Sequence, residues 1–304
     1  MMPTKNVSDM KKQGSIMEKI GEVIHVFREN KGMSQAELSD GILSKAQLSK
    51  FERNLTQISA DKLLALLERL HVTFAEFGNA LAIKENLYEQ SILEDITKAI
   101  VNNNGGQAAL VEDRAEAHFK KHSGKYNRLI LIMVKAMIAD MNGESLSKAD
   151  VSFLADYLFN VDGWTRFELL LFGNTLSVMP LVTVNQLARE LASQTNEALE
   201  IHQNLQLNIS LLYNVILLNL TAKDLKMARL FLRVMKNSHI EDNMMAERFL
   251  ITLAEALCTY CEEPSPENKE RVEKIVEIQK MLGSKSFFVA FKKQAEMFIN
   301  ETAT

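Results

Sequence analysis

The sequence predicts an all-α protein in two parts: an N-terminal five-helix domain that contains a helix-turn-helix, and a C-terminal domain of helical repeats. Three observations predict it. Only 12 glycines and 4 prolines occur in 304 residues, well under the ~7% and ~5% of an average protein, so turns are sparse and helices long. Apolar residues recur at i, i+3, i+4 and i+7 rather than at alternate positions, which is the spacing of an amphipathic helix. Hydroxyl residues that can open a helix are followed three positions later by Glu or Gln, the pattern of a capping box.

Taken in order, residues 1–16 carry Lys5, Lys11 and Lys12 among polar residues with no apolar period, and read as a loose, disordered tail. Ile20, Val23, Ile24 and Phe27 then form the stripe of a first helix, closed by Gly32. Four short helices follow, opened by Ser34, Ser44, Ser59 and Thr73, each able to accept from free N–H groups of the first turn. Glu37, Gln47 and Glu76 complete three of the four as capping boxes. The five helices place a first domain at residues 17–80.

From residue 81 to 304 the spacing lengthens. Breaks fall at Asn102–Gly106, Ser123–Gly124, Asn142–Gly143, Asp162–Gly163, Pro180, a Thr221 N-cap, Asn237–Ser238, Pro264–Pro266 and Gly283. Long helices with short connections must run antiparallel, and a series of such hairpins stacks into a solenoid or bundle. Alternate breaks lie ~40 residues apart, which suits helix-pair repeats; the tetratricopeptide signature of Trp, Leu-Gly and Tyr is not repeated, so the repeat is degenerate and only tetratricopeptide-like.

Composition excludes several classes. With 47% apolar and 24% charged residues the chain can fill a normal core and is not disordered throughout. No apolar run approaches the ~18 residues of a membrane span; Leu211–Leu220 is short and carries Asn214 and Asn219. Two cysteines supply no disulfide framework and no secretory leader opens the sequence, so a cytoplasmic location is expected. A net charge of −4 announces no nucleic-acid partner, and such a claim must come from local pattern.

That pattern is present. Between Ser34 and Arg53 lie one short helix, a tight turn at Asp40–Gly41 and a second helix from Ser44. Leu38, Leu48 and Phe51 supply the contacts between the two helices, leaving Lys45, Gln47, Ser49, Lys50 and Arg53 for the outer face. Lys45 and Gln47 stand at the helix start, where side chains reach base edges, and Gln can pair with adenine and Lys with guanine; Ser44, which opens the helix, is counted with the DNA-binding residues. Lys50, Arg53 and Gln35 suit phosphates. Three cations against Glu52 make this helix locally basic, whereas residues 17–80 hold eight Lys/Arg against nine Asp/Glu, so one copy binds weakly and a dimer is expected.

Ser34-Gln-x-x-Leu-Ser39 and Leu43-Ser-Lys-x-Gln-Leu-Ser-Lys-Phe-Glu-Arg53 resemble the Xre/Cro-type helix-turn-helix, with Asn54 where Gly is usual. Tyr157-Leu-Phe-Asn-Val-Asp-Gly-Trp-Thr-Arg-Phe-Glu-Leu-Leu-Leu-Phe-Gly-Asn174 resembles the signature of the Rgg/GadR/MutR family of transcriptional regulators. The likeness spans about residues 17–300, and Met17-Glu-Lys-Ile-Gly is similar to the family's usual start. It implies a homodimeric cytoplasmic regulator of double-stranded DNA, binding a near-palindromic promoter site. Its tetratricopeptide-like C-terminal domain, in many members, answers to a short imported peptide.

Within residues 81–304 the candidates to hold a peptide are Arg166 and Asn174 on one helix, and Asn208 and Asn214 on another. Asn pairs with backbone N–H and C=O alike, and Arg meets a carboxylate. An adaptable apolar surface at Met227, Met235, Met244 and Met245 is the alternative. Trp164 reads as a packing anchor. Phe287, Phe288, Phe291 and Phe298 form a stripe that is either interface or core.

No catalytic constellation, metal or cofactor is expected. His118 and His122 lack the Glu of the zinc-protease motif, and Cys258-Thr-Tyr-Cys261 lacks a second pair, so both cysteines read as free thiols. No P-loop, G-x-G-x-x-G or G-x-S-x-G occurs. Two other readings stay open on the residues alone: a stress or redox-responsive regulator that ignores peptides and uses Cys258 and Cys261, and a helical-repeat scaffold that binds no specific DNA.

Overall fold

The computed structural model describes residues 17–85, 88–193 and 202–301, so the expected tail at 1–16 lies outside the described residues. All regular structure among them is helical. The first five helices are α1 (Met17–Asn30), α2 (Gln35–Ser39), α3 (Lys45–Glu52), α4 (Ala60–Arg69) and α5 (Phe74–Glu85). Then come α6 (Tyr88–Val101), α7 (Gly105–Lys121), α8 (Lys125–Asn142), α9 (Lys148–Phe159) and α10 (Arg166–Gly173). A 3₁₀ turn at Leu176–Val178 leads to α11 (Leu181–Ser193), followed by α12 (His202–Thr221), α13 (Leu225–Asn237), α14 (Met245–Glu262), α15 (Pro266–Met281) and α16 (Lys285–Glu301). The chain divides into two compact units between Glu94 and Asp95.

The N-terminal unit closes around Val23, Ile24, Leu38, Leu48, Phe51, Leu66, Leu67 and Leu70, with Ala80 and Leu81 packed at its edge. The capping boxes explain why such short helices start where they do. Ser34 N–H donates to Glu37 Oε2 at 2.7 Å and Ser34 Oγ accepts from Glu37 N–H at 3.2 Å. Thr73 and Glu76 repeat this geometry at 2.7 and 3.2 Å. Ser59 differs from expectation: it is the N-cap of α4 by position, but its hydroxyl takes no first-turn N–H and bonds instead to Asp61.

The helix ends expected from glycine and asparagine are found. Gly143 and Gly283 sit at φ +70° and +73° just past α8 and α15, where a side chain would be strained. Asn54 takes the same left-handed role after α3, at φ 60°. Leu55 N–H donates to Lys50 O and Asn54 N–H to Phe51 O, both at 2.8 Å, which is a Schellman closure. The oxygen of the Asn54 side chain is buried without a partner. Asn54→Gly is therefore expected to raise stability by roughly 1 kcal/mol, relief of the orphaned oxygen outweighing the extra freedom of the unfolded glycine. An increased midpoint of denaturant unfolding checks this; an unchanged or lower midpoint refutes it.

The C-terminal unit is a stack of helical hairpins. Helix α7 packs on α8 and α8 on α9, each helix from α11 onward packs on the one that follows it, and α10, α12, α14 and α16 also pack on the next but one, so these alternate helices form a continuous layer. Its core includes Trp164, Phe172, Phe231 and Phe298, all fully buried. Trp164 is the expected anchor: its Nε1 donates to Leu158 O at 3.3 Å and its ring meets Phe172 edge-on at 5.5 Å. One expected boundary is corrected. Thr221 ends α12, with its hydroxyl donating back to Leu217 O, and the N-cap of α13 is Asp224, whose carboxylate accepts Met227 N–H at 3.0 Å. Carboxylate and hydroxyl caps compete at such ends, and the intervening Lys223 turns through φ 59°, a step that spacing alone does not mark.

Candidate functional site

The turn between α2 and α3 is fixed from three sides. Gly41 at φ +67° makes the reversal, and Arg69 from α4 reaches back to Leu38 O at 3.1 Å and to Asp40 O. Beneath α3, Gly21 of α1 lets the two helices touch: a Cβ there would stand 1.9 Å from Phe51 O. Leu38 and Leu48 are fully buried and Phe51 nearly so. The α3 side chains that cannot enter this core are left outside.

Those are the residues expected from the sequence. Ser44, Lys45, Gln47, Lys50 and Arg53 are exposed, and Ser49 is half-buried. Lys45 and Lys50 make no side-chain hydrogen bond or ion pair among the described residues. Arg53 folds back so that Nε donates to Ser49 O at 3.0 Å, leaving the rest of the guanidinium outward. Ser44 and Gln47 form a complete capping box: Ser44 N–H donates to Gln47 Oε1 and Gln47 N–H to Ser44 Oγ, both at 3.2 Å. Gln35, half-buried, donates one amide hydrogen to Glu52 Oε2 at 2.8 Å.

Glu52 is the centre of a buried network that sequence reasoning missed. Arg28 Nε and Nη2 grip its two oxygens at 2.6 and 3.0 Å, and Arg28 Nη1 donates to Met33 O at 2.8 Å. His25 Nδ1 lies 2.9 Å from Arg28 Nη2 and 3.3 Å from Glu52 Oε2. Burial pushes the Glu52 carboxyl up, but the bonds from Arg28 and Gln35 outweigh it and hold the group below the usual glutamate range. The network ties α1 to the end of α3 and the start of α2, so it fixes the angle at which α3 is presented.

The C-terminal unit holds a cavity of about 690 Å³ between α12, α14, α16 and the end of α15. Phe291 is central to its apolar wall, 4.9 Å from the ring of Phe249, 6.1 Å from Tyr213 and stacked at 6.1 Å on Phe287. Tyr213, Asn214, Arg248 and Gln294 supply polar edges, and Tyr213 OH donates to Gln294 Oε1 at 3.1 Å.

Of the four residues expected to hold a peptide, Asn214 lines this cavity and the others do not. Arg166 is exposed at the start of α10. Asn174 caps the end of that helix, its amide donating to Leu170 O at 2.8 Å. Asn208 is half-buried with its oxygen lacking a partner. Met235 and Met244 are core residues, while Met245 is exposed and lines the cavity. The phenylalanine stripe divides: Phe298 is core, Phe287 and Phe291 face the cavity, and Phe288 lies in a separate groove between α15 and α16. The other cavity residues come from four helices, and no local spacing links them.

A family model for the C-terminal domain of the HTH-type transcriptional regulator Rgg matches residues 110–293, more than half of the chain. The chain belongs to the Rgg family of transcriptional regulators. A helix-turn-helix model matches residues 24–77, which contain the α2–α3 pair. Among solved structures, the Streptococcus dysgalactiae SHP pheromone receptor Rgg2 is similar at 21% identity and TM-score 0.73, over 91% of this chain and 99% of its own. A Listeria monocytogenes EGD-e protein matches at 17% identity and TM-score 0.77, over 94% and 99%. PrgX, solved in complex with iCF10, matches at 17% identity and TM-score 0.74, over 94% and 98%. These likenesses show the fold.

The Rgg family is one of transcriptional regulators, not of enzymes. In this Rgg-family chain Cys258 is buried in α14 and burial pushes its thiol up to about 12, the reverse of what a reactive thiolate needs. His118 and His122 lie with ring centroids 4.8 Å apart at the end of α7, and no third ligand joins them among the described residues. No described helix is long and apolar enough to cross a membrane.

Proposed function

We propose that this Rgg-family regulator reads double-stranded DNA in the cytoplasm as a homodimer, through residues 17–80, and that residues 81–304 supply dimerisation and peptide sensing. The observation that carries the DNA-reading part is α3 itself. It is capped by Ser44 and seated on a closed core, with Lys45 and Lys50 exposed and unpaired on the side away from that core. Lys45, Gln47 and Ser49 are the base-facing residues of this reading, with Lys50, Arg53, the Ser44 end of the helix and the second amide hydrogen of Gln35 on phosphates. A dimer on a near-palindrome supplies the specificity that one weakly basic module lacks.

The cavity in the C-terminal unit supports the sensing part. Its size suits several peptide side chains, its wall is aromatic, and Asn214, Arg248 and Gln294 at its edges can pair with peptide backbone or carboxylate. Rgg2 is described as an SHP pheromone receptor and PrgX was solved with iCF10, and this reading extends peptide binding to the present chain. Peptide control requires that the ligand favour one arrangement of the two DNA-reading heads over another.

Lys45→Ala is expected to cost about 1–3 kcal/mol on the preferred site and to relax preference at one base pair, whereas Lys50→Ala weakens all sequences alike and lowers the salt slope by about one. Anisotropy titrations on the preferred duplex and its single-base variants separate the two. Equal, sequence-blind losses in both variants would show that α3 touches only phosphates.

A further inference from the structure

We infer that the capping box at the start of α3 fixes Gln47 as a donor-only base reader, which selects a guanine·cytosine pair at its position and rejects adenine. This rests on the reading of α3 as the helix that enters the major groove. Gln47 is the third residue of α3, exposed, with Oε1 accepting Ser44 N–H at 3.2 Å and Ser44 Oγ–H at 3.4 Å. The Ser44 N–H takes one lone pair of this oxygen, and the Ser44 hydroxyl at 3.4 Å stands over the other. The assignment of oxygen and nitrogen is forced, because a flipped amide would set its NH2 against the Ser44 N–H, donor on donor. What Gln47 turns outward is therefore an NH2 with two hydrogens and no acceptor.

Base edges in the major groove answer this differently. Guanine offers two adjacent acceptors, O6 and N7, which two N–H groups can use; adenine offers N7 beside an N6 donor, and its pairing with glutamine needs the very oxygen that Ser44 holds. Reading adenine would require displacing the Ser44 hydroxyl and sharing the oxygen that caps the helix start, whereas reading guanine leaves the box intact. Lys45, two residues earlier in α3 and unpaired, is likewise donor-only, so the whole leading edge of α3 addresses acceptors.

A second observation sets this box apart. At the other caps of this kind among the described residues, the side chain that returns to the cap N–H is a glutamate: Glu37 to Ser34 at 2.7 Å, Glu76 to Thr73 at 2.7 Å and Glu168 to Thr165 at 2.9 Å. A carboxylate is the better partner for a helix N-terminus on dipole grounds. Only at the exposed, cation-bearing end of α3 is it replaced by the neutral isostere, which keeps the cap, adds two outward donors and presents no negative charge to a phosphate backbone.

The test is binding-site selection from randomised duplexes at about 0.15 M salt, where non-specific phosphate binding is weakened. It uses the full-length protein and its Gln47→Glu and Gln47→Met variants, followed by competition titrations. Glutamate retains the box, as it does at Ser34, but presents an acceptor in place of the donors. The expected result is a guanine·cytosine pair in the wild-type site at the one position that Gln47→Glu changes. There the variant inverts the pair to put cytosine's N4 donor against the carboxylate, and guanine binding falls by about 5- to 150-fold. Gln47→Met, with neither donor nor acceptor, should lose preference at that position and keep the rest of the site. An adenine·thymine pair at that position in the wild-type site would overturn the inference while leaving DNA reading by α3 intact. A site in which neither variant changes any position would overturn it by showing that Gln47 reads no base. Failure to enrich any site would remove the inference together with the function on which it rests.

Discussion

Arg28→Ala is expected to destabilise the N-terminal unit by about 3–5 kcal/mol, because it leaves a buried carboxylate without its counter-charge. Glu52 would lose both bonds from the guanidinium and Met33 O its donor, in a place where the side chains of Glu52 and Arg28 are only 3% and 6% exposed. A loss of this size is comparable to the whole stability of a small domain, so DNA binding should go with it. Hydrogen exchange over residues 17–85 of the full chain reads this directly: amides of α1 to α5 should lose protection while those of the C-terminal unit keep theirs. Replacing both partners, Arg28→Leu with Glu52→Leu, should recover much of the stability, since an apolar pair needs no compensation. Unchanged protection in Arg28→Ala would mean that the network contributes nothing.

The same network carries a pH dependence whose sign follows from Glu52. Its carboxyl is held below its unfolded value, so the unfolded state binds the proton more readily. The contribution is present in full above the ordinary glutamate range, near 4.3, and is lost as pH falls through the depressed folded value. The N-terminal unit should thus be weakened by acid, and the Leu–Leu double variant should lack this part of the dependence.

Trp164→Ala is the second large effect. The indole is completely buried in the C-terminal unit, and its removal should cost about 3–5 kcal/mol through lost burial and the cavity left behind. Leu158 O also loses its N–H donor. Because Trp164 is the sole tryptophan, the unfolding midpoint must be followed by helical circular dichroism rather than intrinsic fluorescence. Trp164→Phe should cost less, keeping an aromatic ring against Phe172. A midpoint unaltered in Trp164→Ala would show that the surrounding hairpins collapse onto the space.

What could be read from the sequence was local. Ser34 with Glu37, Ser44 with Gln47 and Thr73 with Glu76 announce helix starts because cap and returning side chain are three residues apart, and Gly143 and Gly283 announce helix ends because only a left-handed residue closes them. The outward set on α3 was legible for the same reason: once Leu38, Leu48 and Phe51 are assigned inward, helical period leaves Lys45, Gln47 and Lys50 outside. Arg28 and Glu52 were not legible. They stand 24 residues apart in a chain full of charges, and nothing in the pattern separates a buried ion pair from two solvated ones. The reciprocal amide pair of Asn185 and Asn219, at 2.8 and 2.9 Å, is hidden likewise, although Asn219 interrupts an apolar run in the sequence. The cavity was the hardest to foresee. Asn214 is singled out in the sequence by its amide and lines the cavity, but Tyr213, Phe249, Phe291 and Gln294 meet only because alternate helices stack, and Phe291 looks in the sequence just like its core neighbour Phe298.

The most direct test of sequence-specific DNA reading is an anisotropy titration of the full-length protein on its best selected near-palindromic duplex and on a scrambled duplex. It is run at about 0.15 M salt, with and without the low-molecular-mass fraction of a culture supernatant. The expected result is binding to the selected site at least ~10³-fold tighter than to the scrambled one, with an affinity that the peptide-bearing fraction shifts. Equal affinity for the two duplexes would contradict DNA reading by α3, and a preference that the fraction leaves untouched would contradict peptide sensing by the C-terminal unit.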